Sequence, residues 1–263
     1  MHLSAATAGI TRPAAVTAST AVHRAPANSY HRLSFQSSSP TSLTDSIVGQ
    51  VSDGRYHIPY RLFVPVLASP GQKVPLILFL HGRGDGGTDN ISQTYWMSSM
   101  QANTADGDHA AFVLAPQLRT GWNFGTTDGN PTEGLKLTMR ALQQAMANPN
   151  VDVNRIYVTG VSAGAYGVWD ALRRYPKLFA AGVPMSYAGS TGWAKTIAHI
   201  PVWAFQGSND PVRPAKQMRK LIAAIVAAKG SPKYTEISGG GHYIWDSLYN
   251  GAALYEWLFA QAR

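Results

Sequence analysis

The chain contains no cysteine. That absence excludes disulfide staples, thiolate metal centres and a cysteine nucleophile outright. It leaves the compartment open. Charge is also scarce: 14% of residues are charged against 45% hydrophobic, a balance that suits a packed globular chain. Acidic residues are scarcest at the start, where Arg12, Arg24 and Arg32 precede the first acid, Asp45. No apolar run approaches the roughly 18 residues of a membrane-spanning helix, so no membrane span is expected. No cluster of Lys and Arg is interleaved with aromatics, so nucleic acid is not an expected partner.

The 263 residues suffice for one large domain with a sizeable core. Residues 1–44 are rich in Ala, Ser and Thr and show no periodicity. They read as a disordered or targeting segment, ahead of a single catalytic domain over 45–263. Arg12 and Pro13 interrupt what would be a secretory apolar core, and the basic, serine-rich composition also resembles a transit peptide. A secreted or periplasmic location is slightly favoured over a cytoplasmic one. The net charge is +8, of which +5 remains outside the first 44 residues. A basic body steers anionic substrates or surfaces. Nothing in the sequence narrows the assembly beyond monomer or homodimer.

The chain is organised around VNRIYVTGVSAGAYG, residues 153–167. The β-branched and aromatic run Ile156, Tyr157, Val158, Thr159 suits a buried strand. Gly160-Val161-Ser162-Ala163-Gly164 follows, and then a helical pattern. A strand that turns straight into a helix holds its apex residue in a strained backbone, and flanking glycines give the room this needs. Gly-x-Ser-x-Gly in that context is a nucleophile elbow, with Ser162 exposed at the apex.

Earlier, residues 47–64 read as a β-hairpin turning at Asp53-Gly54, with Pro59 suggesting a bulge or an edge. VPLILFL, residues 74–80, is apolar throughout, as a parallel strand covered on both faces should be. It runs into His81-Gly82-Arg83-Gly84-Asp85-Gly86-Gly87. Such a loop lets backbone approach a ligand closely, and in this fold it supplies one N–H of an oxyanion hole. Arg83 and Ala163 are the two expected backbone donors. His81 precedes the serine and is expected to shape the loop. A helix is expected over 91–100, a strand over 110–115, and then a long loop whose Trp122 and Phe124 are candidate substrate contacts. Residues 133–146 have apolar positions at helical spacing.

Beyond the elbow, PVWAFQ is a buried strand ending at a loop that carries Asp210. A last strand over 234–237 leads to Gly239-Gly240-Gly241-His242, and one closing helix is expected over 243–260. Strands alternating with helices imply a parallel sheet with right-handed crossovers. All loops after parallel strands open on one edge, where ligands bind. Ser162, Asp210 and His242 therefore converge, in the chain order of an α/β-hydrolase triad.

VPLILFLHGRGDGGTDN, FVLAPQ, the elbow segment, PVWAFQGSNDPVRP and GGGHYIWD together resemble the bacterial α/β-hydrolase esterases described as polyhydroxybutyrate depolymerase-like or phospholipase/carboxylesterase-like, also called predicted peptidases. The resemblance spans roughly residues 47–262. It implies an α/β-hydrolase fold, with a mostly parallel central sheet of about eight strands and helices on both faces. It also implies a serine hydrolase that cleaves carboxylic esters through Ser162, His242 and Asp210, with no cofactor and no metal. Two local departures stand out: Arg83 where relatives often carry a small residue, and Ser-Ala-Gly where Ser-Met-Gly is common.

The motifs do not fix the substrate, which is a small-molecule or polymeric ester or amide. Arg83, Arg119 and Arg213 sit in loops after three different strands on the same edge. Arginine suits carboxylate recognition, so an anionic or polyanionic acyl substrate is one expectation. Hydrolysis of amide bonds in an anionic polymer such as poly(aspartic acid) would fit it. The opposing reading pairs these arginines with local acids such as Asp85 or Asp128, or leaves them in solvent. A non-catalytic binding module of the same fold is the alternative of a different class.

Overall fold

The structure, a computed structural model, describes residues 46–263, so the expectations for residues 1–44 lie outside the described residues. Eight strands form one sheet: β1 Ser46–Ser52, β2 His57–Phe63, β3 Val74–Leu80, β4 Phe112–Pro116, β5 Val151–Val161, β6 Ala181–Met185, β7 Trp203–Gly207 and β8 Lys233–Ile237. Their order is β1-β2-β4-β3-β5-β6-β7-β8. The β1–β2 and β2–β4 pairs are antiparallel, and every other neighbour is parallel.

The sequence explains why this sheet is covered on both faces. All seven residues of β3 are buried. Leu76, Leu78 and Leu80 point to one face, where Leu135, Leu142, Val168, Leu172 and Met218 pack. Ile77 and Phe79 point to the other, against Met97, Met100, Tyr249, Leu254 and Leu258. Alternation along a strand sends successive side chains to opposite faces, so an unbroken apolar run feeds two cores. Helices α2 (Glu133–Met146), α3 (Ala163–Arg174) and α5 (Ala215–Ala227) supply the first core. Helices α1 (Ser98–Thr104), α6 (Trp245–Tyr249) and α7 (Ala252–Phe259) supply the second. A four-residue helix, α4 (Ala194–Ile197), completes the set. None of these helices is long and apolar enough to cross a membrane.

Three local expectations are corrected. Residues 91–100 do not form one helix. The Asp89 carboxylate accepts from the Ile91 and Ser92 N–H groups at 2.8 and 3.0 Å and from the Ser92 hydroxyl. This side chain captures the backbone donors a helix start would use, and only a 3-10 turn forms over Ser92–Thr94. The α-helix begins at Ser98 instead, which buries Met100 and Thr104. The closing helix breaks in two at Asn250-Gly251. Both are weak helix formers, and Gly251 takes an extended conformation before α7. Finally, Pro59 is neither bulged nor on an edge. It pairs with Gln50 in an uninterrupted β1–β2 ladder, and β1 is the edge strand. The β2–β4 ladder starts only at Tyr60, so the N–H that Pro59 lacks is not needed there.

Candidate active site

Ser162 stands between the end of β5 and the start of α3 with φ 51° and ψ −120°. A non-glycine residue in this region is strained, and the surroundings must hold it there. The Ser162 N–H donates to the Met185 carbonyl at 2.9 Å, and the Ser162 carbonyl accepts from the Tyr166 N–H at 3.2 Å. The two glycines have no substitute. A Cβ on Gly164 would fall 1.9 Å from the Leu80 carbonyl oxygen, and one on Gly160 would fall 2.8 Å from the same oxygen and from the Gly164 backbone. The turn is thus pressed against the end of β3, which brings the glycine loop beside the serine. The Cβ position of Gly82 lies 3.8 Å from the Ser162 Cβ.

His242 reaches the serine from the loop after β8. Its Nε2 is 2.9 Å from the Ser162 Oγ, and its Nδ1 is 2.8 Å from Asp210 Oδ2. A carboxylate can only accept, so Nδ1 carries the proton and Nε2 is left to accept from the serine hydroxyl. Asp210 is fully enclosed. Its Oδ1 accepts from the Val212 and Arg213 N–H groups, both at 2.8 Å, and its Oδ2 also accepts from the Gln206 side-chain amide at 2.8 Å. Four donors on two oxygens fix the carboxylate plane. The His242 backbone is fixed as well, because the buried Ser186 hydroxyl donates to its carbonyl at 2.8 Å. Gly207 lets the two loops meet: a Cβ there would fall 2.1 Å from the Gly241 carbonyl oxygen.

The loop after β3 makes a 3-10 turn over Arg83–Asp85. The Asp85 carboxylate accepts from the Gly82 N–H at 3.0 Å, closing the loop on itself. Burial pushes the Asp85 carboxyl up, while the Gly82 N–H and the neighbouring Trp96 indole pull it down. His81 is buried beneath this loop. Its Nε2 accepts from the Leu118 N–H at 3.0 Å, so its Nδ1 is the protonated nitrogen, donating to the Gly82 carbonyl at 2.7 Å. Burial lowers its pKa to about 4, with the Gly82 carbonyl opposing. The ring is a neutral brace between two loops. Ala163 opens α3, so its N–H has no acceptor within the helix.

The remaining sequence candidates divide. Arg83 is exposed beside Gly82. Arg213 follows Asp210 closely, and its guanidinium lies 3.9 Å over the Tyr187 ring. Neither pairs with a carboxylate among the described residues; Asp85 bonds to Gly82, and the Asp128 carbonyl binds Arg173 and Arg174. Phe124 is buried against the His81 ring and so is no substrate contact, and Arg119 and Trp122 group instead with the β1–β2 hairpin. Arg119 lies 3.4 Å from both His57 ring nitrogens, and Trp122 meets the edge of Tyr56 at 5.2 Å.

Sequence reading missed the roles of Gln206, Ser186 and Asp85, which bond to Asp210, to the His242 carbonyl and to the Gly82 N–H. It also missed an aromatic cluster beside His242. Tyr243 and Trp245 lie 5.5 and 5.7 Å from the His242 ring, and Trp96 lies 6.0 and 5.6 Å from those two. The segment GGGHYIWD carried half of that signal, but its partner Trp96 comes from a loop far away in sequence. Among the described residues no three His, Asp or Glu side chains converge as a metal site.

No protein-family model matches the chain. It is 26% identical over 148 residues to the bifunctional acetylxylan esterase/xylanase XynS20E of Neocallimastix patriciarum, covering 56% of this chain and 21% of that protein. It is 29% identical over 134 residues to poly(3-hydroxyalkanoate) depolymerase C of Paucimonas lemoignei, covering 48% of this chain and 31% of that one. Among solved structures it resembles a thermostable esterase with TM-score 0.75 and 32% identity, covering 84% of this chain and 64% of the other. A Pyrococcus horikoshii acylaminoacyl peptidase shares the fold at TM-score 0.64 and 17% identity, over 82% of this chain and 41% of that one. The chain thus spans less than two thirds of the length of each of these relatives.

Proposed function

The chain is an α/β-hydrolase related to esterases, and on that premise we propose that it is a serine hydrolase that cleaves carboxylic esters, with residues 45–263 as one catalytic domain. The observation that carries this reading is the continuous chain from Ser162 Oγ to His242 Nε2 at 2.9 Å and from His242 Nδ1 to Asp210 Oδ2 at 2.8 Å. His242 takes the hydroxyl proton as Ser162 attacks the ester carbonyl. Asp210 holds the tautomer and stabilises the imidazolium that forms. The Arg83 and Ala163 N–H groups receive the developing oxyanion. His242 then returns its proton to the leaving alcohol. Water attacks the acyl-enzyme with His242 again as base, freeing the acid and restoring Ser162.

The test has two arms. A fluorophosphonate probe labels wild type and not Ser162→Ala. Hydrolysis of a short-chain p-nitrophenyl ester falls at least about 10³-fold in Ser162→Ala. Turnover in that variant near the wild-type rate would overturn the assignment. Absence of labelling in wild type would favour the non-catalytic binding module.

A second reading concerns charge. Arg83 and Arg213 stand near the serine and the aspartate without acidic partners among the described residues, which favours an anionic acyl chain, either a polyester or an amide-linked polymer such as poly(aspartic acid). Arg119 and Trp122 are taken up by the hairpin and are not needed for it. Glu at both Arg83 and Arg213 should then shift preference towards neutral esters; an unchanged ratio sinks this reading.

A further inference from the structure

Two hydrogen bonds fix the His242 ring in the resting site, one at each nitrogen. The hydrolase reading requires one of them to fail during the reaction. Once Ser162 Oγ carries the acyl group it has no proton to donate, and Nε2 loses that partner. The ring is then tethered at Nδ1 alone, yet the second half-reaction needs Nε2 aimed at the attacking water. The Ser186 bond to the His242 carbonyl holds the backbone and not the ring. Rotation of an imidazole about its Cβ–Cγ bond has broad minima, so the side chain does not fix its own plane. Contact with neighbouring side chains has to supply that alignment.

The buried ring in contact with the imidazole is Trp245, which opens α6 one short loop after His242. The two ring centroids are 5.7 Å apart and the planes cross at 86°. Tyr243 meets the imidazole in a similar way, at 5.5 Å and 83°. The two neighbours differ in what holds them: Tyr243 is 74% exposed and Trp245 is 2% exposed. Trp245 lies in the second core with Met97, Ile244 and Tyr249. Trp96 crosses it at 5.6 Å and 81°. Turning the imidazole would drive it against a close-packed ring with no room to move aside.

Packing alone does not call for an indole at this position. The Trp245 Nε1 is buried and has no hydrogen-bond partner among the described residues. An unpaired buried donor costs stability, and phenylalanine or leucine would fill an apolar site without that cost. Such a cost, retained against the ring of the base, points to a role in the reaction.

We propose that Trp245 is a positioning residue for deacylation: its ring keeps the His242 imidazole aligned after Ser162 has been acylated. The attacking water then bonds through its oxygen to the acyl carbon and gives a proton to Nε2. That proton passes to Ser162 Oγ as the bond from Oγ to the acyl carbon breaks and the acid leaves. Acylation depends less on the indole, because the Ser162 hydroxyl itself holds Nε2 at the outset. The proposal rests on the hydrolase reading, since without an acyl-enzyme there is no second step to support.

The test measures the two steps apart, with p-nitrophenyl acetate as the substrate. Release of p-nitrophenol in a single turnover with excess enzyme reports acylation. Decay of the acetyl-enzyme, followed by intact mass after rapid quenching, reports deacylation. Trp245→Leu should slow deacylation at least about tenfold and acylation by less than about threefold. In the steady state kcat and KM then fall together, while kcat/KM stays within about threefold of wild type. Trp245→Phe, which keeps an aromatic wall, should bring deacylation back to within about threefold of wild type. Trp96→Leu removes the half-buried ring behind Trp245 and should show the same bias in smaller degree, which keeps the test decisive if Trp245→Leu does not fold. Equal slowing of the two steps in the folded variants, or slowing of neither, would overturn the proposal, because a merely structural role does not choose between them. Failure of the hydrolase reading looks different. Wild type would then release no p-nitrophenol and form no acetyl-enzyme, and the role assigned to Trp245 would fall with it.

Discussion

The side chain that best shows how the site is supported is Gln206. Its amide nitrogen bridges Asp210 Oδ2 at 2.8 Å and the Arg213 carbonyl at 2.9 Å, entirely out of solvent. Replacing it with Leu removes one donor from a buried carboxylate and leaves the Arg213 carbonyl without this donor. A hydrogen bond to a charged group contributes about 1.5–3 kcal/mol, so a loss of roughly tenfold to a hundredfold in kcat/KM is expected if that energy holds Asp210 in line. A merely structural role for Gln206 would lower the melting temperature and leave kcat/KM of the folded protein unchanged. No periodicity points to this residue. It is simply the last polar position of a buried strand, and only the bend of the next loop brings Asp210 back onto it. Ser186 is hidden in the same way. The meeting of Ser162, Asp210 and His242, by contrast, was legible because each follows a strand and stands in a glycine- or proline-rich loop.

At the scale of elements, the elbow depends on how closely α3 and the end of β3 can approach. A methyl group at Gly164 would overlap the Leu80 carbonyl and the His81 carbonyl oxygen, all backbone and unable to rotate away. Gly164→Ala should therefore push α3 from β3. Overpacking of this kind costs about 1–3 kcal/mol, which lowers Tm by roughly 2–12 °C in a domain of this size. Gly84→Ala is the control, since nothing lies within 4 Å of its Cβ position, and its Tm should stay within about 1 °C of wild type. A thermal scan of both decides; equal shifts would mean the contact is not what fixes the turn. Elements whose apolar pattern feeds a core were read well: α2 falls on residues 133–146 as its spacing predicts, and β3 on 74–80. Those set by side-chain capture of the backbone were not. Asp89 displaced the helix start to Ser98, and Asn250-Gly251 split the last helix, because local hydrogen bonding and backbone entropy outweigh an apolar pattern too short to fix its own register.

At the scale of the whole molecule, two neighbouring loops at one edge of the sheet are tied together by a single side chain. His81 joins the loop after β3 to the loop after β4 through its two ring nitrogens, and it can do both only as the neutral imidazole. A proton on Nε2 would face the Leu118 N–H. Its folded pKa of about 4 lies below the ordinary value of 6.5. Between these values the unfolded chain binds the proton and the folded chain does not, so stability rises with pH through this window. The contribution is fully present above pH 6.5 and is lost as pH falls towards 4, about 3 kcal/mol in all at 1.4 kcal/mol for each pH unit. His81→Asn keeps a donor for the Gly82 carbonyl and removes the titration. Urea unfolding at pH 4.5 and pH 7 should therefore show a larger difference between the two pH values in wild type than in the variant, by about 2–3 kcal/mol. The comparison is of differences, so it survives any uniform destabilisation by the substitution. Equal differences in the two proteins would mean that His81 takes its proton at the same pH folded and unfolded, and that the two loops are joined by packing against Phe124, 4.9 Å from the ring, rather than by the neutral imidazole.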